Sequence, residues 1–138
     1  MLDQLLDNAI KFSPGGGLVT VTLRPVIQVS PGVKAGDAPQ TRQLNDPDKA
    51  PVLCIMLELC VTDNGQEIPA EQLERIFERF HRVDTRLTRE TGGLGLGLTI
   101  CKRFVELHIG AIWAENRSSG RGSAFYVRLP LDGVAALA

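Results

Sequence analysis

The chain has 138 residues, 43% of them hydrophobic, with 15 Lys and Arg against 16 Asp and Glu for a formal net charge of −1. That length suits one domain with a real core, and the near balance of charge leaves no global field to draw nucleic acid or an anionic membrane. No apolar run approaches the roughly 20 residues a membrane span needs, and the amphipathic start does not read as a signal peptide.

In chain order, residues 2–12 place Leu2, Leu5, Leu6, Ala9 and Ile10 at helical spacing, and Ser13-Pro14-Gly15-Gly16-Gly17 stops that helix. Residues 18–29 alternate, with Val19, Val21 and Leu23 against Thr20, Thr22 and Arg24, as a half-buried strand weakened beyond Pro25. Residues 30–50 lack periodicity and read as a loop joining two strands. The nearly all-apolar run 52–61 reads as a central strand covered on both faces, ending at Thr62-Asp63-Asn64-Gly65. Residues 70–80 predict a helix after Pro69, with Leu73, Ile76, Phe77 and Phe80 on its core side. A polar stretch follows over 81–91. Glycine-rich residues 92–97 then open a helix through His108 that stops at Gly110. Residues 111–116 and 123–129 read as two strands around the turn Ser118-Ser119-Gly120-Arg121-Gly122. The order α-β-β-α-loop-α-β-β predicts a layered α/β domain without internal repeats. Cys54, Cys60 and Cys101 are odd in number and lack a CxxC partner, which argues for reduced thiols in a cytosolic protein and against a zinc site or disulfide framework.

Four stretches carry candidate chemistry. On the first helix Gln4, Asn8 and Lys11 fall opposite the apolar face; helix geometry alone makes them a solvated stripe. Asp63-Asn64-Gly65 alone is an ordinary turn, although an aspartate ending a buried strand can accept a hydrogen bond from a ligand amine and a glycine lets backbone approach a flat ring. Arg82, just past the 70–80 segment, has a guanidinium fork that suits phosphate. The string Gly92-Gly93-Leu94-Gly95-Leu96-Gly97-Leu98 frees backbone amides at a helix start, an anion-binding arrangement. It lacks the preceding strand of a Rossmann fingerprint and the Gly-Lys-Ser/Thr of a Walker A loop. His81 and His108 read as packing or capping residues.

Taken together and in order, these strings resemble the boxes of the ATP-binding catalytic domain of sensor histidine kinases, within the histidine kinase, gyrase, Hsp90 and MutL superfamily. Leu5-Leu6-Asp7-Asn8-Ala9-Ile10-Lys11-Phe12-Ser13-Pro14 resembles the asparagine box. Val61-Thr62-Asp63-Asn64-Gly65-Gln66-Glu67-Ile68-Pro69 resembles the first glycine box, Ile76-Phe77-Glu78-Arg79-Phe80-His81-Arg82 the phenylalanine box, and Gly93 to Leu98 the second glycine box. Glu106 to Asn116 and Gly122-Ser123-Ala124-Phe125 continue the likeness.

The resemblance implies one Bergerat-type domain over 1–138, a two-layer sandwich of a mixed sheet with helices on one face. It further implies an N-terminal trim, an insertion at 30–50 and an ATP lid at about 81–94. Its implied ligands are ATP and Mg2+, with Asn8 on the metal, Lys11 and Arg82 on phosphate and Phe12 against the nucleotide. Asp63, Gly65 and Ile68 would lie at the adenine, and Gly93, Leu94, Gly95, Leu96, Gly97 and Leu98 around the phosphates. The implied reaction passes the γ-phosphoryl group to a histidine on a separate dimerisation domain, with a response regulator downstream, in the cytoplasm and without membrane contact by this chain. In hydrolysing members a glutamate base precedes the metal asparagine by one turn; here that position is Gln4, which cannot abstract a proton. Glu67 stands where the family has a second glycine, which leaves open a degenerate nucleotide-sensing or docking module without phosphotransfer.

Overall fold

The computed structural model describes residues 1–30, 52–82 and 95–131. Helix α1 spans Leu2–Phe12, strand β1 Val19–Ser30, strand β2 Val52–Asp63, helix α2 Gly97–Leu107, strand β3 Ala111–Asn116 and strand β4 Ser123–Pro130. The expected 30–50 insertion, apart from Ser30, and the lid beyond Arg82 as far as residue 94 lie outside the described residues.

The strands form one sheet in the order β1-β2-β4-β3. All three of its described pairings are antiparallel, which narrows the mixed sheet expected from the sequence. β1 is an edge strand, so Pro25, which has no N–H to give a ladder, sits inside it opposite Leu57 without ending it. The strand therefore runs on past the point where the sequence weakened it.

Side chains alternate across the pleat. Leu59, Val61, Phe125 and Val127 face α1 and α2 and join Leu5, Ala9, Ile76, Phe77, Cys101, Val105 and Ala114 in the core. Phe77 meets Phe125 edge to face, with ring centroids 6.4 Å apart. On α1 the core side is narrower than the periodicity predicts: Leu5 and Ala9 are buried, while Leu2 and Ile10 stay exposed. The same is true of β1, where Val19 packs on the core but Val21 and Leu23 remain open.

The opposite face of the sheet carries Glu58, 1% exposed in the middle of the apolar run of β2. Register places Arg24 of β1 and Arg128 of β4 directly across from it. Arg24 donates to Oε1 at 2.6 and 2.9 Å, and Arg128 donates to Oε2 at 2.6 Å. Burial alone pushes this carboxyl up, but the hydrogen bonds and charges of Arg128 and Arg24 outweigh it and hold Glu58 below its ordinary range. Arg128 also lies 5.0 Å from the Trp113 ring centre, and Trp113 stacks on Tyr126.

Residues 70–80 depart from the predicted helix. They form two 3-10 turns, Ala70–Gln72 and Arg75–Phe77. An α-helix would give the Phe80 N–H to the Ile76 carbonyl; it goes instead to Gly95 O at 3.1 Å, and the Thr99 hydroxyl takes Phe77 O at 3.0 Å. Tertiary partners thus displace the helical ladder. Phe80, expected in the core, is 69% exposed with φ +59°.

Cys101 is buried, and Cys54 and Cys60 are half-buried; all three are free thiols. Burial pushes the Cys60 and Cys101 thiols up, away from the reactive thiolate. His81 Nε2 lies 2.6 Å from Gln72 Oε1, while His108 Nδ1 donates to Phe104 O at 2.8 Å and its ring stacks on Phe104. Packing and capping account for both. No helix among the described residues is long and apolar enough to cross a membrane.

Candidate functional site

The candidate site follows α1 along its polar stripe. Asp3 in the first turn and Lys11 in the last complement the helix dipole, and Ser13 leaves the helix in an extended conformation ahead of Pro14. Gln4 and Asn8 are half-buried and Lys11 is exposed. Neither the Asn8 amide nor the Lys11 ammonium has a hydrogen-bond partner among the described residues.

Each end of the stripe touches one of the two glycine motifs. At the C-terminal end the Phe12 carbonyl occupies the space a side chain on Gly65 would need, so only glycine admits this approach. At the N-terminal end Gln4 Oε1 lies 2.7 Å from where a Cβ on Gly97 would be. Phe12 lies eight positions beyond Gln4 on the helix, a rise of about 12 Å. Helix α1 therefore bridges the end of β2 and the start of α2, with Asn8 midway.

Asp63 ends β2 in phase with Leu59 and Val61, so its side chain enters the helix-covered layer; it is 2% exposed. Oδ1 accepts the Gly65 N–H at 2.9 Å and the Ser123 N–H at 3.4 Å, and Oδ2 accepts the Ser123 hydroxyl at 2.8 Å. Oδ2 thus retains an unused acceptor position. The Ser13 hydroxyl, next to Phe12, is buried without a hydrogen-bond partner.

The loop after Asp63 exposes Asn64, Gln66 and Glu67, while Gly65 is buried and Ile68 packs against the core. Asn64 Oδ1 accepts the Leu18 N–H at 2.9 Å, tying the loop to the start of β1. Asn116, at the end of β3, holds Ile68 from the other side, accepting its N–H at 2.8 Å and donating to its carbonyl at 2.6 Å. Sequence reading placed Asn116 and Ser123 only inside longer strings. Their partners lie 48 and 60 residues away, and no local spacing signals such pairs.

The α2 end is built from Gly95, Leu96, Gly97 and Leu98, which are half-buried. The Phe80 to Gly95 hydrogen bond brings the phenylalanine stretch against this glycine motif, so Arg82, exposed, follows directly from that junction. Gly93 and Leu94 lie outside the described residues. Asn8, Phe12, Asp63, Gly65 and Ile68 thus share one side of the sandwich with Gly95 to Leu98.

Residues 1–133 match the family model for histidine kinase-, DNA gyrase B- and HSP90-like ATPases. The sensor histidine kinase WalK of Bacillus subtilis is 35% identical over 130 residues, covering 94% of this chain and 17% of WalK. Among solved structures, a mycobacterial sensor histidine kinase, MprB, superposes with a TM-score of 0.61 at 32% identity, covering 92% of this chain and 65% of that one. Full-length ShkA, solved in complex with AMPPNP, superposes at 0.57 and 25% identity over 94% of this chain and 21% of its own. The chain thus spans about a sixth of WalK and under two thirds of the MprB structure. A match over nearly every residue, together with these structural likenesses, fixes the assignment: the chain belongs to the family of histidine kinase-, DNA gyrase B- and HSP90-like ATPases.

Proposed function

We propose that the chain binds Mg-ATP along the polar stripe of α1 and transfers the γ-phosphoryl group to a histidine on a separate dimerisation domain of a two-component sensor kinase. The observation that carries this reading is the double approach of α1, to Gly65 at one end and Gly97 at the other. It sets a buried carboxylate near one end of α1 and a glycine-rich helix start at the other, with about 12 Å of helix between the two contacts, a span suited to an extended nucleoside triphosphate. The AMPPNP complex of the ShkA neighbour supports the same choice of ligand.

In this reading the spare acceptor of Asp63 takes the exocyclic amine of adenine, with Gly65 leaving room for the ring and Ile68 and Phe12 giving it apolar contact. Asn8 offers a neutral amide oxygen, unclaimed by other described residues, which suits a magnesium ion that keeps phosphate and water as its other ligands. The bound metal would supply charge neutralisation between the phosphates. Lys11, Arg82 and the amides of Gly93 to Leu98 spread the remaining charge as the γ-phosphoryl group leaves.

Gln4 stands at the phosphate end and has no useful basicity, so water is not activated from that position. The acceptor histidine comes from another domain, with a response regulator beyond it, both in the cytoplasm. Glu67 is exposed and makes no hydrogen bond to another described residue.

The test is transfer from γ-labelled ATP. With Mg2+ and a supplied histidine-bearing dimerisation domain, label should appear on the histidine and depend on Asn8. Steady release of free phosphate without the acceptor would point to an ATPase. Intact ATP binding without label on any acceptor would point to a non-transferring module.

A further inference from the structure

Asn116 closes a contact that the nucleotide reading does not use. Its amide meets both backbone groups of Ile68, with Oδ1 accepting the N–H at 2.8 Å and Nδ2 donating to the carbonyl at 2.6 Å. A side-chain amide is neutral and carries donor and acceptor side by side, so it stands in for a neighbouring strand. A carboxylate offers no donor, and a hydroxyl has a single oxygen for both roles. The next residue, Arg117, donates from Nη1 to the Asp63 carbonyl at 3.2 Å. The end of β3 therefore grips the 64–67 loop at both of its flanks, at Asp63 and at Ile68.

Within that loop Gln66 and Glu67 are exposed. The fixed points are Asn64, tied to the Leu18 N–H, Gly65, pressed on the Phe12 carbonyl, and Ile68, held by Asn116. Ile68 thus keeps its place through Asn116, whereas the Gln4 to Gly97 contact lies at the other end of α1.

We infer that Asn116 is a positioning residue for the base end of the nucleotide site. It acts through Ile68, holding the loop so that the Asp63 carboxylate and the Ile68 side chain present one surface to adenine. This rests on the nucleotide reading above, and it assigns base recognition to a residue that touches no nucleotide atom itself.

The experiment compares adenosine, ATP and inorganic tripolyphosphate, each with Mg2+, by calorimetry on the wild-type chain and on Asn116→Ala and Asn116→Asp. The aspartate variant keeps the shape and the acceptor but turns an oxygen towards the Ile68 carbonyl, which separates loss of the grip from loss of side-chain volume, and tripolyphosphate binding reports whether each variant is folded. The expected result is a loss of roughly tenfold for adenosine and for ATP alike in the alanine variant, a comparable loss of the same kind in the aspartate variant, and unchanged tripolyphosphate binding. Equal weakening of adenosine and tripolyphosphate would reduce Asn116 to a general stabiliser and overturn the inference. So would adenosine binding at wild-type strength in both folded variants. A wild-type chain that binds neither adenosine nor ATP would overturn the nucleotide reading itself, and this inference with it.

Discussion

Ser123 donates its hydroxyl to Asp63 Oδ2 at 2.8 Å, joining the first residue of β4 to the last residue of β2 inside the helix-covered layer. Its backbone N–H, 3.4 Å from Oδ1, is aimed at the same carboxylate. The side chain that would read adenine is therefore fixed before any ligand arrives, and little ordering cost remains for binding.

Asp63→Asn tests that arrangement. The new amide can still accept the Gly65 N–H, and the Ser123 hydroxyl can rotate to accept, so the fold should persist. The charge-assisted contact to the ligand amine is lost. ATP affinity should fall about tenfold to a hundredfold, corresponding to about 1.5–3 kcal/mol. Calorimetry that finds ATP binding unchanged would remove Asp63 from the site.

The two glycine contacts of α1 should respond differently to alanine. At Gly65 the obstacle is the Phe12 backbone carbonyl, which cannot move without shifting the helix end. Gly65→Ala should cost about 1–3 kcal/mol of stability and weaken ATP. At Gly97 the obstacle is the tip of the Gln4 side chain, which can swing aside, and alanine improves helix propensity by up to about 1 kcal/mol. Gly97→Ala should leave the melting temperature near the wild-type value. Equal destabilisation by both would contradict the contacts described.

Glu58 gives a pH signature. Its carboxyl is held below the ordinary value of 4.5, with burial opposing and Arg128 and Arg24 prevailing. A lowered folded value means that the ionised form contributes stability above the unfolded value, and that this contribution is lost as pH falls through the folded one. Glu58→Gln should lower stability by about 1–3 kcal/mol at pH 7. The difference from wild type should shrink as acid unfolding is followed from pH 5 downward. A constant gap over that range would show that the two arginines do not stabilise the charge.

Glu67→Gly separates charge from shape at the position where the sequence departs from its family. The side chain is exposed, so adenosine binding should not change. Removing one screened negative charge near a polyanion is worth about 0.5 kcal/mol, and ATP should tighten by only about twofold. A large gain for both ligands would place Glu67 inside the adenine space.

Much of the fold was legible locally because the cues are local. The spacing of Leu5 and Ala9 gives α1, the alternation from Val19 gives β1, and glycines frame α2. The 70–80 segment misled because Leu73, Ile76, Phe77 and Phe80 keep helical spacing, while the hydrogen bonds that decide its path go to Gly95 and Thr99. Phe80 and Ile10 show the complementary limit, since apolar character alone did not make them core. Glu58 lies inside the run read as nearly all apolar, and its partners depend on strand register with Arg24 and Arg128. The candidate site residues came from ordered motifs. The residues that brace them, Asn116 and Ser123, act across long sequence separations and emerge only in three dimensions.

If Asn8 faces a metal-bound triphosphate between Asp63 and the start of α2, the Mg2+ dependence of ATP binding must run through that residue. The direct measurement is a calorimetric titration of ATP, with and without Mg2+, into the wild-type chain and into Asn8→Ala. Mg2+ should strengthen ATP binding to the wild type, and this gain should disappear in Asn8→Ala while the metal-free affinity stays similar. The same Mg2+ gain in both proteins, or no ATP binding by the wild type, would contradict that placement of Asn8.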